Sequence, residues 1–293
     1  MQIKKLSDRF SYVSGPANIG IVHLNDSNIL LIDSGTSSKY AAALFELLSD
    51  YRFKVSHIFN THSHADHIGG NCFLQEKTGC KILAAPLEAP TIAQPLVQAA
   101  VLFSGAPIND LLNKFVSAQP SKVQITYENH ITIDDIKISL LDLPGHSVNQ
   151  KGIAIDDIAY VADTLFSQEF FKKQRLPFNY DPIAHLHSLE RLEHINAKTY
   201  LGGHIKPLKD IKSLISMNKK MTNESLDIMR EILSAPQPHD RIVKTFMDKM
   251  NLKKTGWEYF LYQGTVNGYL SALHRKGEIK YRVIDNLALW YMV

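Results

Sequence analysis

Cysteine is scarce in this sequence: Cys72 and Cys80 are the only two among 293 residues. Two thiols at this spacing make no disulfide framework and match no common zinc pair, so both are read as buried free thiols. Long apolar runs are missing as well. No stretch reaches the roughly 18 consecutive apolar residues that a membrane-spanning helix needs. The opening "MQIKKLSDRFSYV" has no apolar core of the kind a secretory leader carries. An excess of one charge is also lacking. Thirty-two Lys and Arg against 29 Asp and Glu leave +3, too little to call for a nucleic-acid partner by itself. These absences leave a soluble globular protein, expected in the cytoplasm and without a membrane partner.

The chain does have a regular alternation of elements. "SYVSG", "NIGIVHL" and "NILLIDSG" read as strands, and "SKYAAALFELLSDY" carries apolar residues at helical spacing. "KVSHIFN" is a strand, "ADHIGGNCFLQEKTG" a helix with Asp66 near its start and Gly79 at its end, and "CKILAA" the next strand. Such alternation predicts an α/β layered sandwich. Residues 86–120 interrupt it with an apolar, helical insert broken by Pro95 and Pro107. "KVQITY", "HITIDDIKISLLDLPG", "KGIAIDD" and "IAYVADTLF" resume the strands, "PIAHLHSLERLEHIN" is a helix and "TYLGGH" closes the series. The halves 10–85 and 122–204 read as architecturally alike. After His204 the texture changes to helices and a final pair of strands turned at Asp285-Asn286. This predicts a winged-helix-like module over 205–293, beside a catalytic unit over 1–204.

The chemistry concentrates in "FNTHSHADHIGGN", where His62, His64, Asp66 and His67 fall within six positions. In extended backbone, residues two apart share a side, so His62 and His64 can grip one ion while Asp66 and His67 turn toward another. Three more candidates each follow an apolar strand: His146 in "LLDLPGHS", Asp163 in "AYVADTLF" and His204 in "TYLGGH". Imidazole and carboxylate suit zinc first, with iron or manganese as alternatives.

Over residues 10–205 this combination resembles the metallo-β-lactamase-fold superfamily of hydrolases with the "THSHADH" signature. The resemblance implies an αββα four-layer sandwich with two divalent metal ions at one edge. It assigns one ion to His62, His64 and His146, and the other to Asp66, His67 and His204, with Asp163 bridging. It also matches Asp33 in "LIDSG", read as a support that orients the ligand loop. A hydroxide bridging the ions would attack a carbonyl or phosphorus centre, with Asp66 handling the proton as the catalytic residue. "ADTLF" is similar to the thioesterase branch typified by glyoxalase II. Phe166 stands where lactonase members carry tyrosine, and Val148-Asn149 where many members carry Pro-Gly.

Other residues receive plainer readings. His185, His187 and His194 are expected on a solvated or interfacial helix face, since residues two apart on a helix point about 200° from each other. His57 is taken as structural. The insert is either a substrate wall, through Leu102, Phe103, Leu111 and Phe115, or a packing elaboration. In the terminal module, Arg275, Lys276, Lys280 and Arg282 keep nucleic acid open, while Trp257, Tyr259, Tyr262 and Trp290 read as core and favour packing or a homodimer. The leading expectation is hydrolysis of a small anionic ester, thioester or lactone. A metal-dependent phosphodiesterase or ribonuclease comes next, and a mononuclear iron persulfide dioxygenase third.

Overall fold

The computed structural model describes residues 1–252 and 256–293. Seven strands follow one another in sequence across the first sheet: β1 (Ile3–Lys5), β2 (Phe10–Val13), β3 (Ile19–His23), β4 (Asn28–Ile32), β5 (Lys54–Asn60), β6 (Lys81–Ala84) and β7 (Val123–Ile125). β1 to β4 pair antiparallel through short turns; β4 to β7 pair parallel. Parallel neighbours need crossovers. These are α1 (Ser38–Asp50), then α2 (Ala65–Ile68) with α3 (Asn71–Thr78), then α4 (Ala89–Ala93) with α5 (Leu96–Phe103).

The second sheet has five strands: β8 (His130–Ile133), β9 (Ile136–Asp142), β10 (Lys151–Ile155), β11 (Ile158–Tyr160) and β12 (Thr199–Leu201), ordered β12-β11-β10-β9-β8. Its one parallel pair, β11 with β12, is bridged by α6 (Gln168–Gln174) and α7 (Pro182–Glu193). The sheets face each other across Phe10, Leu30 and Phe59 on one side and Ile138, Ile153 and Tyr160 on the other. α1 and α3 cover the outer face of the first sheet with Leu44 and Leu74. α7 covers the second with Leu189 and Leu192. This is the αββα four-layer sandwich.

The structure corrects several expectations. The helix read over 65–79 is two helices, parted at Gly69-Gly70. A Cβ on either glycine would collide with backbone of the 33–36 turn, at Thr36 and Ser34. The chain crosses that turn at a distance no side chain allows. Residues 10–85 carry five strands, β2 to β6, and residues 122–204 carry six, β7 to β12, of which β7 joins the first sheet. Cys80 is buried but Cys72 is half-buried on the surface of α3, and both are free.

The final region holds α8 (Lys212–Ile232), β13 (Gln237–Pro238), α9 (His239–Lys249), α10 (Gly256–Arg275), β14 (Ile279–Ile284) and β15 (Leu287–Met292), with strand order β13-β15-β14. The last hairpin turns at Asp285 and Asn286 with φ of 49° and 62°, the paired positive φ of a tight two-residue turn. Tyr262 and Tyr269 are core here, packed with Phe246. Trp257, Tyr259 and Trp290 are only half-buried, at the edge of the module. The region is not detached: Leu176, Ile183 and Leu186 of the sandwich share its apolar cluster, and Arg275 pairs with Asp181 at 2.6 Å. Among the described residues no helix is long and apolar enough to cross a membrane.

Candidate metal centre

β4 and β5 run parallel, and their C-terminal ends reach the same edge of the sandwich. Asp33 follows β4 with φ of 65°, fully buried. One of its oxygens accepts the Thr61 N–H at 2.8 Å. The other accepts the Thr61 hydroxyl at 2.9 Å and lies 2.8 Å from His67 Nδ1. A single carboxylate thus fixes both the strand end before His62 and the helix carrying His67.

The outward ring nitrogens define the tautomers. Thr61 gives its one hydroxyl proton to Asp33, so at 3.0 Å it accepts from His62 Nδ1. His67 Nδ1 faces the Asp33 carboxylate, His146 Nδ1 the Phe178 carbonyl at 2.7 Å, and His204 Nδ1 the Pro16 carbonyl at 3.0 Å. Each of these four rings donates outward, so in its neutral form each turns Nε2 inward, the arrangement that orients imidazoles for metal.

Ligand atoms converge in three groups, each within 4.8 Å: His62, His64 and His146; His62, His67 and Asp163; Asp66, His67 and His204. Asp163 Oδ2 lies 3.1 Å from His204 Nε2, 3.3 Å from His67 Nε2 and 3.6 Å from His146 Nε2. It therefore touches histidines of both outer groups. His62 Nε2, His67 Nε2 and Asp163 Oδ1 are buried without a hydrogen-bond partner. Buried polar atoms left unpaired are costly, and three at one focus, all able to coordinate, fit a cation. Gly203 closes the centre, since a Cβ there would run into Asp163 Oδ1.

The two outer groups differ electrostatically. Burial, together with the neighbouring histidines, holds His62 well below the ordinary imidazole range. Burial and His64 push His146 down to about 3. These rings stay neutral, as metal ligands must. Burial also acts on His204 and His67, but the carboxylates overcome it. Asp163 and Asp66 lift His204 up to about 10, and those two with Asp33 lift His67 well above its usual value. Despite burial, Asp163 is held far below the carboxylate range by His204 and His67.

A family model of the metallo-beta-lactamase superfamily matches residues 13–204. The chain belongs to that superfamily. Among curated relatives, a hydroxyacylglutathione hydrolase of Rhodopseudomonas palustris strain BisB18 is 26% identical over 164 residues, 55% of this chain and 50% of the relative. A second, from strain CGA009 of the same species, is 28% identical over 162 residues, 52% of this chain and 53% of the relative. The chain thus spans about half the length of the curated relatives it matches. A beta-lactamase domain protein from Burkholderia ambifaria superposes with a TM-score of 0.76, covering 100% of this chain and 95% of that one at 17% identity. At that identity the likeness shows the shared fold.

On this superfamily scaffold the seven predicted ligands all meet at one edge. Two supports were not foreseen. Glu88, fully buried before α4, accepts Ser63 N–H at 3.0 Å and Ser63 Oγ at 2.6 Å on one oxygen. Its other oxygen accepts Ser147 Oγ and Asn149 N–H, each at 2.7 Å. It ties the loop of His62 and His64 to the loop of His146. Asn18 donates to the Gly202 and Ile205 carbonyls at 2.9 and 2.8 Å and so brackets His204. A buried Glu inside an apolar insert was the available sign for the first; nothing local marks Asn18.

His185 does not lie on a solvated face. It is 1% exposed, with Nε2 2.9 Å from the Thr164 carbonyl. The buried face of α7 carries Pro182, His185, Ser188, Leu189 and Leu192, a helical stripe that includes this histidine and leaves His187 and His194 exposed. His57 is half-buried in β5 beside Ser56. In the insert, Leu102 and Phe115 line the cavity over the centre, while Phe103 packs on Phe260 and Leu111 is buried away from it.

Proposed function

We propose that this chain is a metal-dependent hydrolase holding two divalent ions, zinc first, and acting on a small thioester or ester. The observation that carries the reading is the convergence of seven buried or half-buried ligands around three unpaired coordinating atoms. His62, His64 and His146 would hold one ion, Asp66, His67 and His204 the other, and Asp163 would serve both. Ions bound there would acidify a water and polarise a carbonyl oxygen. The protein's own part is orientation: Asp33 and Glu88 hold the ligand loops, and the rings of Phe166 and Phe178 pack on His146 and keep water from that side. Asp66, the ligand carboxylate more open to the cavity with a side chain 36% exposed against 3% for Asp163, is placed to pass a proton outward. Two converging groups favour two ions over the single iron of a dioxygenase. The named activity of the curated relatives, hydrolysis of a hydroxyacylglutathione, favours a thioester.

The terminal module is read as winged-helix-like and as a packing element. Of its four basic residues near the hairpin, Arg275 is committed to Asp181 and Arg282 lies over the Tyr291 ring. That leaves little of the concentrated basic face that phosphate binding needs. The test is a panel of thioesters, lactones, phosphodiesters and RNA on protein of measured metal content. Thioester turnover with two zinc ions per chain is expected, and Asp163→Ala should loosen both. One persistent iron per chain, or turnover of RNA alone, would sink the proposal.

A further inference from the structure

The cavity over the centre is about 760 Å³, a usual size for a small-molecule site. Its floor is His64, Asp66, His146, Asp163 and His204. Its walls come from four separate parts of the chain. The loop after Asp163 and α6 behind it give Phe166 and Phe170, whose rings lie 6.0 and 5.9 Å from that of His204. The segment before α7 gives Phe178, edge-on to His64 at 5.5 Å. The insert and α10 meet at the outside, where Phe115 and Trp257 stack with centroids 5.5 Å apart and planes within 6°. Leu102 and Leu261 line the space between.

Beside the apolar side chains, the described wall carries Thr36, Gln98, Gln174, Glu258 and Tyr262. Lys114, exposed beside the Phe115 ring, is the one Lys or Arg among the described lining residues. A glutathione leaving group brings two carboxylates and an ammonium, and an RNA strand brings a phosphate per nucleotide. Either would need more cationic side chains for its acidic groups than the described lining offers. Apolar surface, by contrast, is plentiful and lies directly above the ligands.

From this we infer that the site selects its substrate by a bulky apolar acyl group, aromatic or medium-chain, seated between the insert and α10 with the Phe115–Trp257 pair as its outer wall. This rests on the hydrolase reading above and specifies its substrate class. Burial of acyl carbon would raise kcat/KM about fourfold per methylene, the equivalent of the usual transfer free energy.

The test uses the full zinc-loaded chain and N-acetylcysteamine thioesters of acetate, butyrate, hexanoate and benzoate. The expected result is kcat/KM rising at least tenfold from acetyl to hexanoyl, with benzoyl comparable to hexanoyl. The hexanoyl thioester of glutathione should be no better than that of N-acetylcysteamine. Trp257→Ala and Phe115→Ala should each lose most of the chain-length dependence while metal content stays unchanged. Binding of the free carboxylates, read by Trp257 fluorescence in a Trp290→Phe background, gives a measure independent of turnover. Hexanoate should bind at least tenfold more tightly than acetate. Where turnover is seen, a flat or falling acyl series, or a tenfold preference for the glutathione thioester, overturns the inference. Where none of the thioesters is turned over, the thioester reading fails and binding decides: hexanoate preference upholds the pocket, equal binding overturns it.

Discussion

At the residue scale, the centre depends on side chains that touch no substrate. Glu88 accepts four hydrogen bonds from two ligand loops. Glu88→Ala would leave buried donors at Ser63 and Ser147 unpaired and cost about 3 kcal/mol. Because it frees the His62–His64 loop from the His146 loop, it should also weaken metal affinity by about 10- to 100-fold. Urea unfolding and competition with a chelating dye measure the two effects; unchanged affinity would show that the loops hold their positions without it.

His185 gives a pH signature at the same scale. Burial pushes its pKa down to about 4, with the Thr164 carbonyl opposing, whereas the unfolded chain has the ordinary value near 6.5. Between those values the unfolded state binds a proton that the folded state refuses. Stability therefore falls as pH drops from about 6.5 to about 4, by about 3 kcal/mol. His185→Gln should remove that slope, so the difference in urea midpoint between variant and wild type should itself change across this window and be constant above it. A constant difference throughout would show that His185 is protonated inside the fold.

At the element scale, what could be read from the chain followed from local rules. Strands with period-two or fully apolar patterns, and the turn at Asp285-Asn286, depend on neighbours in sequence, and they were legible. The candidate ligands, which the fold brings together, stood out because their spacing and residue types are hard to explain by packing. The break at Gly69-Gly70 was not, because its cause is the distant 33–36 turn. Nor was the burial of His185, since periodicity places it on the Leu189–Leu192 stripe only once that stripe is known to face the sheet. Glu88 and Asn18 act through partners at 25 to 187 positions' separation, which no local pattern encodes. The glycine break yields a clean comparison. Gly70→Ala must displace the Ser34 carbonyl, so it should cost several kcal/mol, on the order of a strained core substitution. Gly105→Ala, where a Cβ meets only Phe103 at 3.9 Å, should be near neutral. Equal denaturant midpoints for the two would refute the close-approach account.

At the scale of the whole molecule, the division at residue 204 describes chain order better than it describes mechanics. α8 lies beyond that point, yet its Asn218 supplies both backbone partners of Phe166 in the sandwich: Oδ1 accepts the Phe166 N–H at 3.0 Å and Nδ2 donates to the Phe166 carbonyl at 3.0 Å. Asn218 is 1% exposed, so neither bond is replaceable by water. Phe166 stands three residues after Asp163 and packs on His146 and His204. The terminal region therefore braces the segment that carries Asp163, the carboxylate lying against histidines of both outer groups. Asn218→Leu would keep the volume and remove both bonds, leaving a buried N–H and C=O unpaired at a cost of about 2–4 kcal/mol. If bracing is its role, the variant should also lose metal affinity, although Asn218 contacts no ligand. Asn218→Asp, which keeps the accepting oxygen but turns a buried carboxylate oxygen toward the Phe166 and Leu214 carbonyls, should recover none of the stability at pH 7. Metal competition and urea midpoints on the three full-length proteins check this. Metal affinity unchanged in a destabilised Asn218→Leu would mean that α8 stabilises the fold without positioning the centre.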